Sequence, residues 1–102
     1  NACLADSDVH RTTVQLRGEL DIATIGRVRR SLARAVASST SDAVVVDLEA
    51  VTFLDAGTVE ALLTARDEAR AAGRQLVLSG VSPTIHRVLR LFGVESEFDI
   101  ST

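Results

Sequence analysis

The segment Ala43-Val44-Val45-Val46-Asp47-Leu48 constrains the fold more than any other: a run of apolar residues of strand length, with three valines at its centre. A run that is continuous rather than alternating predicts a strand buried on both faces, as in a parallel sheet covered by helices. The flanking segments supply that cover. Upstream, Ile25, Val28, Leu32, Ala35 and Val36 draw an apolar stripe along a helix from about Ile22 to Ala37. Downstream, Val59, Leu62, Leu63, Ala65 or Arg66, and Ala69 do the same over Thr58 to Ala72, and Gly73 is placed to end that helix in the left-handed conformation.

The remaining elements follow from similar patterns. Thr12 to Leu16 alternates apolar and polar residues until Gly18 interrupts it, which predicts a half-buried strand. Ala2 to Ala5 is expected as a short companion, so that residues 1–10 form an edge strand or a flexible arm. Gln75 to Ser79 reads as an inner strand. Ser82-Pro83 begins a helix, serine as N-cap and proline at N1, with Ile85, Val88, Leu89 and Phe92 on one face until Gly93. Glu97 to Ile100 is a final short strand. Strands joined through helices imply right-handed crossovers. The expected fold is therefore α/β, a mostly parallel four- to five-stranded sheet with three to four helices. At 102 residues the chain has room for one core, hence one domain over residues 1–102.

Composition removes most enzyme chemistry. All 11 basic residues are arginine, so no lysine is present for a Schiff base or a phosphate-binding loop. His10 and His86 are the only histidines and neither has a partner at metal-ligand spacing. Serine and cysteine lack a local base, and the G-x-S-x-G, P-loop and dinucleotide-binding glycine patterns are absent. No catalytic residue, metal or cofactor is expected. The lone Cys3 forms no internal disulfide and points to the cytoplasm. Three aromatic residues, all phenylalanine, and a formal charge of −3 argue against a nucleic-acid partner. No segment approaches the roughly eighteen apolar residues of a membrane span. Arg27, Arg29, Arg30 and Arg34 crowd one predicted helix, where they either face an acidic partner or form a solvated outer face.

Two acids stand where parallel α/β sheets carry their functional loops, beyond strand C-termini. Asp21 follows the first clear strand and Asp55 follows the central one. Each is placed to cap the next helix, with Thr24 the alternative cap for the first. The competing reading is a divalent-cation or phosphate-transfer site, which requires the two carboxylates to converge. Val51 to Thr58 reads as a loop in which one of Phe53 and Leu54 anchors to the core and the other is exposed. Ala56 and Gly57 are small enough for a partner to approach the backbone closely.

Three motifs together resemble the STAS domain family, which includes bacterial anti-sigma factor antagonists and cytoplasmic domains of sulfate-type anion transporters. They are Gly18-Glu19-Leu20-Asp21, Val45 through Asp55, and Gly73 through Pro83 leading into Val88-Leu89-Arg90-Leu91-Phe92-Gly93-Val94. The resemblance covers nearly everything from Val14 to Phe98.

The resemblance implies a regulator that binds a kinase-type anti-sigma factor, a histidine-kinase-like ATPase, and so frees a sigma factor. The alternatives are a scaffold that assembles with itself or other STAS proteins, or a domain of an anion transporter or lipid-trafficking system. It also implies a partner-binding surface at Asp21, Thr24, Phe53, Leu54, Asp55, Ala56, Gly57 and Thr58. Family antagonists are switched off by phosphorylation of a serine or threonine directly after the loop aspartate. That position is Ala56 here, which has no hydroxyl. Thr58 is the nearest candidate acceptor, and it also suits an N-cap.

Overall fold

The computed structural model describes residues 4–7 and 11–101, so Cys3, His10 and the start of the strand expected at Ala2 to Ala5 lie outside the described residues. In chain order the elements are β1 (Leu4–Ser7), β2 (Arg11–Leu20), α1 (Ile25–Ser38), β3 (Ala43–Leu54), α2 (Ala56–Ala71), β4 (Gln75–Ser79), α3 (Pro83–Leu91), a short 3-10 turn (Glu95–Glu97) and β5 (Asp99–Ile100). The five strands form one sheet in sequence order. β1 is antiparallel to β2, and β2 through β5 run parallel. This is the mostly parallel α/β architecture the sequence predicts, with three α-helices; the residues before β5 form only a 3-10 turn.

Strands that advance one neighbour at a time through right-handed crossovers place all three helices on the same face of the sheet. Burial agrees. Val14 and Leu16 of β2, Val44, Val46 and Leu48 of β3, and Leu76 and Leu78 of β4 are buried in one cluster with Val28, Leu32, Leu62, Ile85 and Leu89 of the helices. The alternate residues Thr13, Val45, Asp47, Val77 and Ser79 share a shallow hollow on the other face. The valine run is buried on both faces as expected, but the expectation that helices cover both faces is corrected. Val44 and Val46 face the helices, whereas Val45 lies on the open face, shielded by its strand neighbours to 8% exposure.

β3 is longer than the sequence suggests, and the reason is a change of spacing. Its register with β2 shifts between Gln15 and Arg17 and again between Gly18 and Glu19, each time with an extra residue on β3. Bulges of this kind replace the period of two. The buried residues then fall at Leu48, Val51 and Leu54, three apart. Val51 to Leu54 is therefore strand, not loop. β2 likewise runs through Gly18 to Leu20.

The bulge also fixes Gly80, which follows β4 at φ +64°. A side chain there would put its Cβ 2.8 Å from the Glu49 Cβ and 2.9 Å from the Glu49 amide nitrogen. The Glu49 amide donates instead to Asp47 Oδ1 at 2.9 Å. At the opposite end of the sheet, the serine-rich turn after α1 is tied down by buried hydroxyls, Thr12 Oγ1 lying 2.8 Å from Ser39 Oγ. Arg66 of α2 donates to the Glu97 carbonyl oxygen and carboxylate, both at 2.7 Å, and so fastens α2 to the turn before β5.

The helix ends follow their sequence signals in part. Ser82 Oγ accepts from the Ile85 amide at 3.1 Å with Pro83 in the first turn, as expected of an N-cap. Gly73 takes φ +74°, and the next amide, Arg74, donates back to the Ala69 carbonyl at 2.8 Å. α3 departs from its predicted stripe at the end. Phe92 caps the helix and is 47% exposed, because the chain turns away at Gly93 before the ring reaches the core.

Candidate functional site

β2 and β3 are neighbours, so their C-terminal ends lie side by side and α1 and α2 start next to each other. Leu20 pairs with Leu54 across the two strands, both buried, and the Asp55 amide donates to the Leu20 carbonyl at 3.1 Å. From this shared platform each chain segment turns into its helix by a different device.

The first turn runs from Asp21 to Thr24. Asp21 Oδ1 accepts from the Ala23 amide at 2.9 Å. The buried Thr24 hydroxyl accepts from the Asp21 amide at 3.0 Å and donates to the Asp21 carbonyl at 3.2 Å. Those bonds hold residues 21–24 in a turn and delay the helix to Ile25, three residues later than its predicted start at Ile22. Thr24 occupies the N-cap position but its side chain caps no helix amide. The consequence is at Ile22, which projects with 87% of its surface exposed.

The second turn is tighter. Asp55 is the N-cap of α2, which starts at Ala56 and not at Thr58. Asp55 Oδ1 accepts from the Thr58 amide at 2.9 Å. The Thr58 hydroxyl lies 2.9 Å from the same carboxylate oxygen and 3.2 Å from the Leu20 carbonyl, so its one proton is shared between two acceptors. Thr58 is fully buried. It is an internal residue of the helix and fastens that helix to β2.

The residues singled out in the sequence therefore divide into two layers. Asp21, Phe53, Asp55, Ala56 and Gly57 reach the surface, with Phe53 at 48% exposure. Thr24, Leu54 and Thr58 are buried beneath them. Of the pair Phe53 and Leu54, Leu54 anchors and Phe53 is exposed. Ile22 joins the surface layer although sequence reasoning assigned it to a helix; the Asp21 and Thr24 pair, with side chains that bond their own backbone, was the signal for a turn there.

Both carboxylates are committed to backbone amides at their own turns. Among the described residues no group of three or more histidine, cysteine, aspartate or glutamate side chains is placed to hold a metal ion. Nor is any helix among them long and apolar enough to cross a membrane. The site is a partly apolar rim on a rigid, hydrogen-bonded base.

Comparison with known proteins agrees with this architecture. A protein from Pseudomonas aeruginosa strain UCBPP-PA14, described as STAS-domain containing, is 31% identical over 98 residues, covering 96% of this chain and 95% of that protein. The anti-sigma F factor antagonist of Lysinibacillus sphaericus is 30% identical over 88 residues, 84% of this chain and 75% of its own length. The crystal structure of an anti-sigma factor antagonist from Mycobacterium paratuberculosis shares the fold with a TM-score of 0.85 at 22% identity, over 97% of this chain and 83% of that one. The STAS domain model matches residues 5–102, nearly the whole sequence, and the chain belongs to the STAS domain family.

Proposed function

We propose that the domain is an antagonist that binds a kinase-type anti-sigma factor, a histidine-kinase-like ATPase, and so frees a sigma factor without the family's serine switch. Membership of the STAS family supports an antagonist type of function. The single observation that carries the finer reading is Ala56. It is the exposed first residue of α2, directly after the capping Asp55. The family pattern puts a phosphorylatable hydroxyl at that position.

The contact surface in this reading is Asp21, Ile22 and Ala23 from the first turn with Phe53, Asp55, Ala56 and Gly57 from the second. Two exposed apolar side chains within a rim of short polar groups have the make-up of a small interface centre. Thr24, Leu54 and Thr58 hold it from below. A phosphoryl group at the start of α2 would bring about two negative charges beside Asp55 and repel a complementary partner. Ala56 accepts none. The burial and double engagement of the Thr58 hydroxyl support reading it as a fastener and not as a displaced acceptor.

The test is affinity capture from lysate of the source organism with the immobilised domain and with Asp55→Ala, followed by mass spectrometry. The reading expects a histidine-kinase-like ATPase on the native domain and little of it on the variant. Recovery of other STAS proteins or of a transporter subunit instead would move the assignment to a scaffold or transport role.

A further inference from the structure

We propose that the partner surface continues from the Asp21 turn along the outer face of α1, and that the partner meets Arg30 and Arg34 there with carboxylates. The inference rests on the antagonist reading above and adds the chemistry of the partner's face.

α1 carries Arg27, Arg29, Arg30 and Arg34, all exposed, and no acidic residue occurs between Asp21 and Asp42 in a chain of formal charge −3. Among the described residues Arg29, Arg30 and Arg34 make no ion pair. Arg27 and Arg30 are one helical turn apart, and so are Arg30 and Arg34, which sets like charges against each other along one face. This arrangement weakens the helix on its own. A local conflict of that kind is expected where a surface serves something outside the chain.

The geometry selects a protein over a flat polyanion. A duplex or bilayer laid along α1 would also come against the acids of the two turns at its N-terminal end, Asp21 and Asp55. A folded protein can set acids opposite the arginines alone. The planar guanidinium fork suits paired carboxylates. The stripe from Arg27 to Arg34 is about 10 Å long at the helical rise, and it begins in the first turn of α1, directly after the turn that carries Ile22.

Charges at the edge of an interface set the rate of association more than that of dissociation. Each kinase-type anti-sigma factor of the source organism is therefore purified and mixed with the domain in stopped flow, at low and high salt. Arg30→Glu/Arg34→Glu is compared with Arg70→Glu/Arg87→Glu, which makes the same charge change at two other exposed positions, and with Phe53→Ala. The proposal expects the α1 pair to slow association about 10-fold or more at low salt and to flatten its salt dependence, with dissociation changed less than about 3-fold. The control pair should change little. An α1 pair that associates like the native domain, or a control pair that slows it equally, overturns the inference and leaves the antagonist reading standing if Phe53→Ala weakens the complex. A native domain that binds none of the kinases overturns both.

Discussion

The Thr58 hydroxyl lies 3.2 Å from the main-chain carbonyl of Leu20, a residue 38 positions earlier in the chain. Through this contact the first turn of α2 is locked to the end of β2, and the Asp55 amide bonds the same carbonyl. The two turns that form the candidate surface are thereby one rigid unit. Thr58→Val keeps the shape and removes the hydroxyl. Since Leu20 retains the Asp55 amide as a donor, the expected loss is that of one net hydrogen bond, about 1 kcal/mol, read from urea denaturation. A neutral result would mean that the contact does not hold the turns together.

Asp55→Ala removes the cap of α2. Loss of an N-cap costs about 1 kcal/mol of stability. Binding should suffer more, because the variant releases the Thr58 amide, leaves the Thr58 hydroxyl only the Leu20 carbonyl, and lets the Asp55 to Gly57 backbone leave its binding geometry. The expected result is at least about a 10-fold loss of partner affinity, which corresponds to about 1.4 kcal/mol. Calorimetric affinity and denaturation measured on the same protein separate the two effects, and equal affinity in both proteins contradicts the assignment of the surface.

Gly80 and Gly73 form a matched pair, since both have positive φ but only Gly80 is crowded. Gly73 has nothing within 4 Å of where a Cβ would stand, whereas Gly80 meets Glu49 at 2.8 and 2.9 Å. Gly73→Ala should cost about 1 to 2 kcal/mol for the left-handed backbone alone. Gly80→Ala adds the cost of overpacking, about 1 to 3 kcal/mol more. Thermal or urea unfolding of the two variants ranks them, and equal losses would show that the bulge in β3 yields easily.

Ala56→Ser places a hydroxyl at the exposed start of α2. With the purified cognate kinase and ATP, the variant is expected to take up phosphate and then to lose affinity, whereas the native domain takes up none. Phosphate incorporated into the native chain at Thr58 would contradict the account of the buried hydroxyl.

Much of this fold was legible in the sequence because it is written in periodicities. The stripes of α1 and α2, the Ser82-Pro83 start and Gly73 all stand where their patterns place them. Two parts were not legible for stated physical reasons. The bulges in β3 turned a period of two into a spacing of three at Leu48, Val51 and Leu54, which no alternation rule detects. The open face of the sheet was hidden because Val45 is shielded by neighbouring strands without a helix above it. At the site, the capping role of Asp55 could be proposed from sequence, whereas Asp21, expected to cap α1, instead holds the turn before it by accepting from the Ala23 amide. The Thr58 to Leu20 contact could not, since it joins segments brought together only by the parallel pairing of β2 and β3. Ile22 was read as helix because an apolar residue near a stripe extends it by pattern, while the Asp21 and Thr24 side chains had already claimed that backbone for a turn.

The most direct test of the central claim is a titration of the domain into a reconstituted complex of the kinase-type anti-sigma factor with its sigma factor, in the presence of ATP, with sigma release followed by fluorescence anisotropy. The account predicts that the native domain releases sigma and that release persists while ATP is present, whereas Ala56→Ser releases it only until the variant is phosphorylated. No release by the native domain, or release that decays as the domain takes up phosphate, would contradict it.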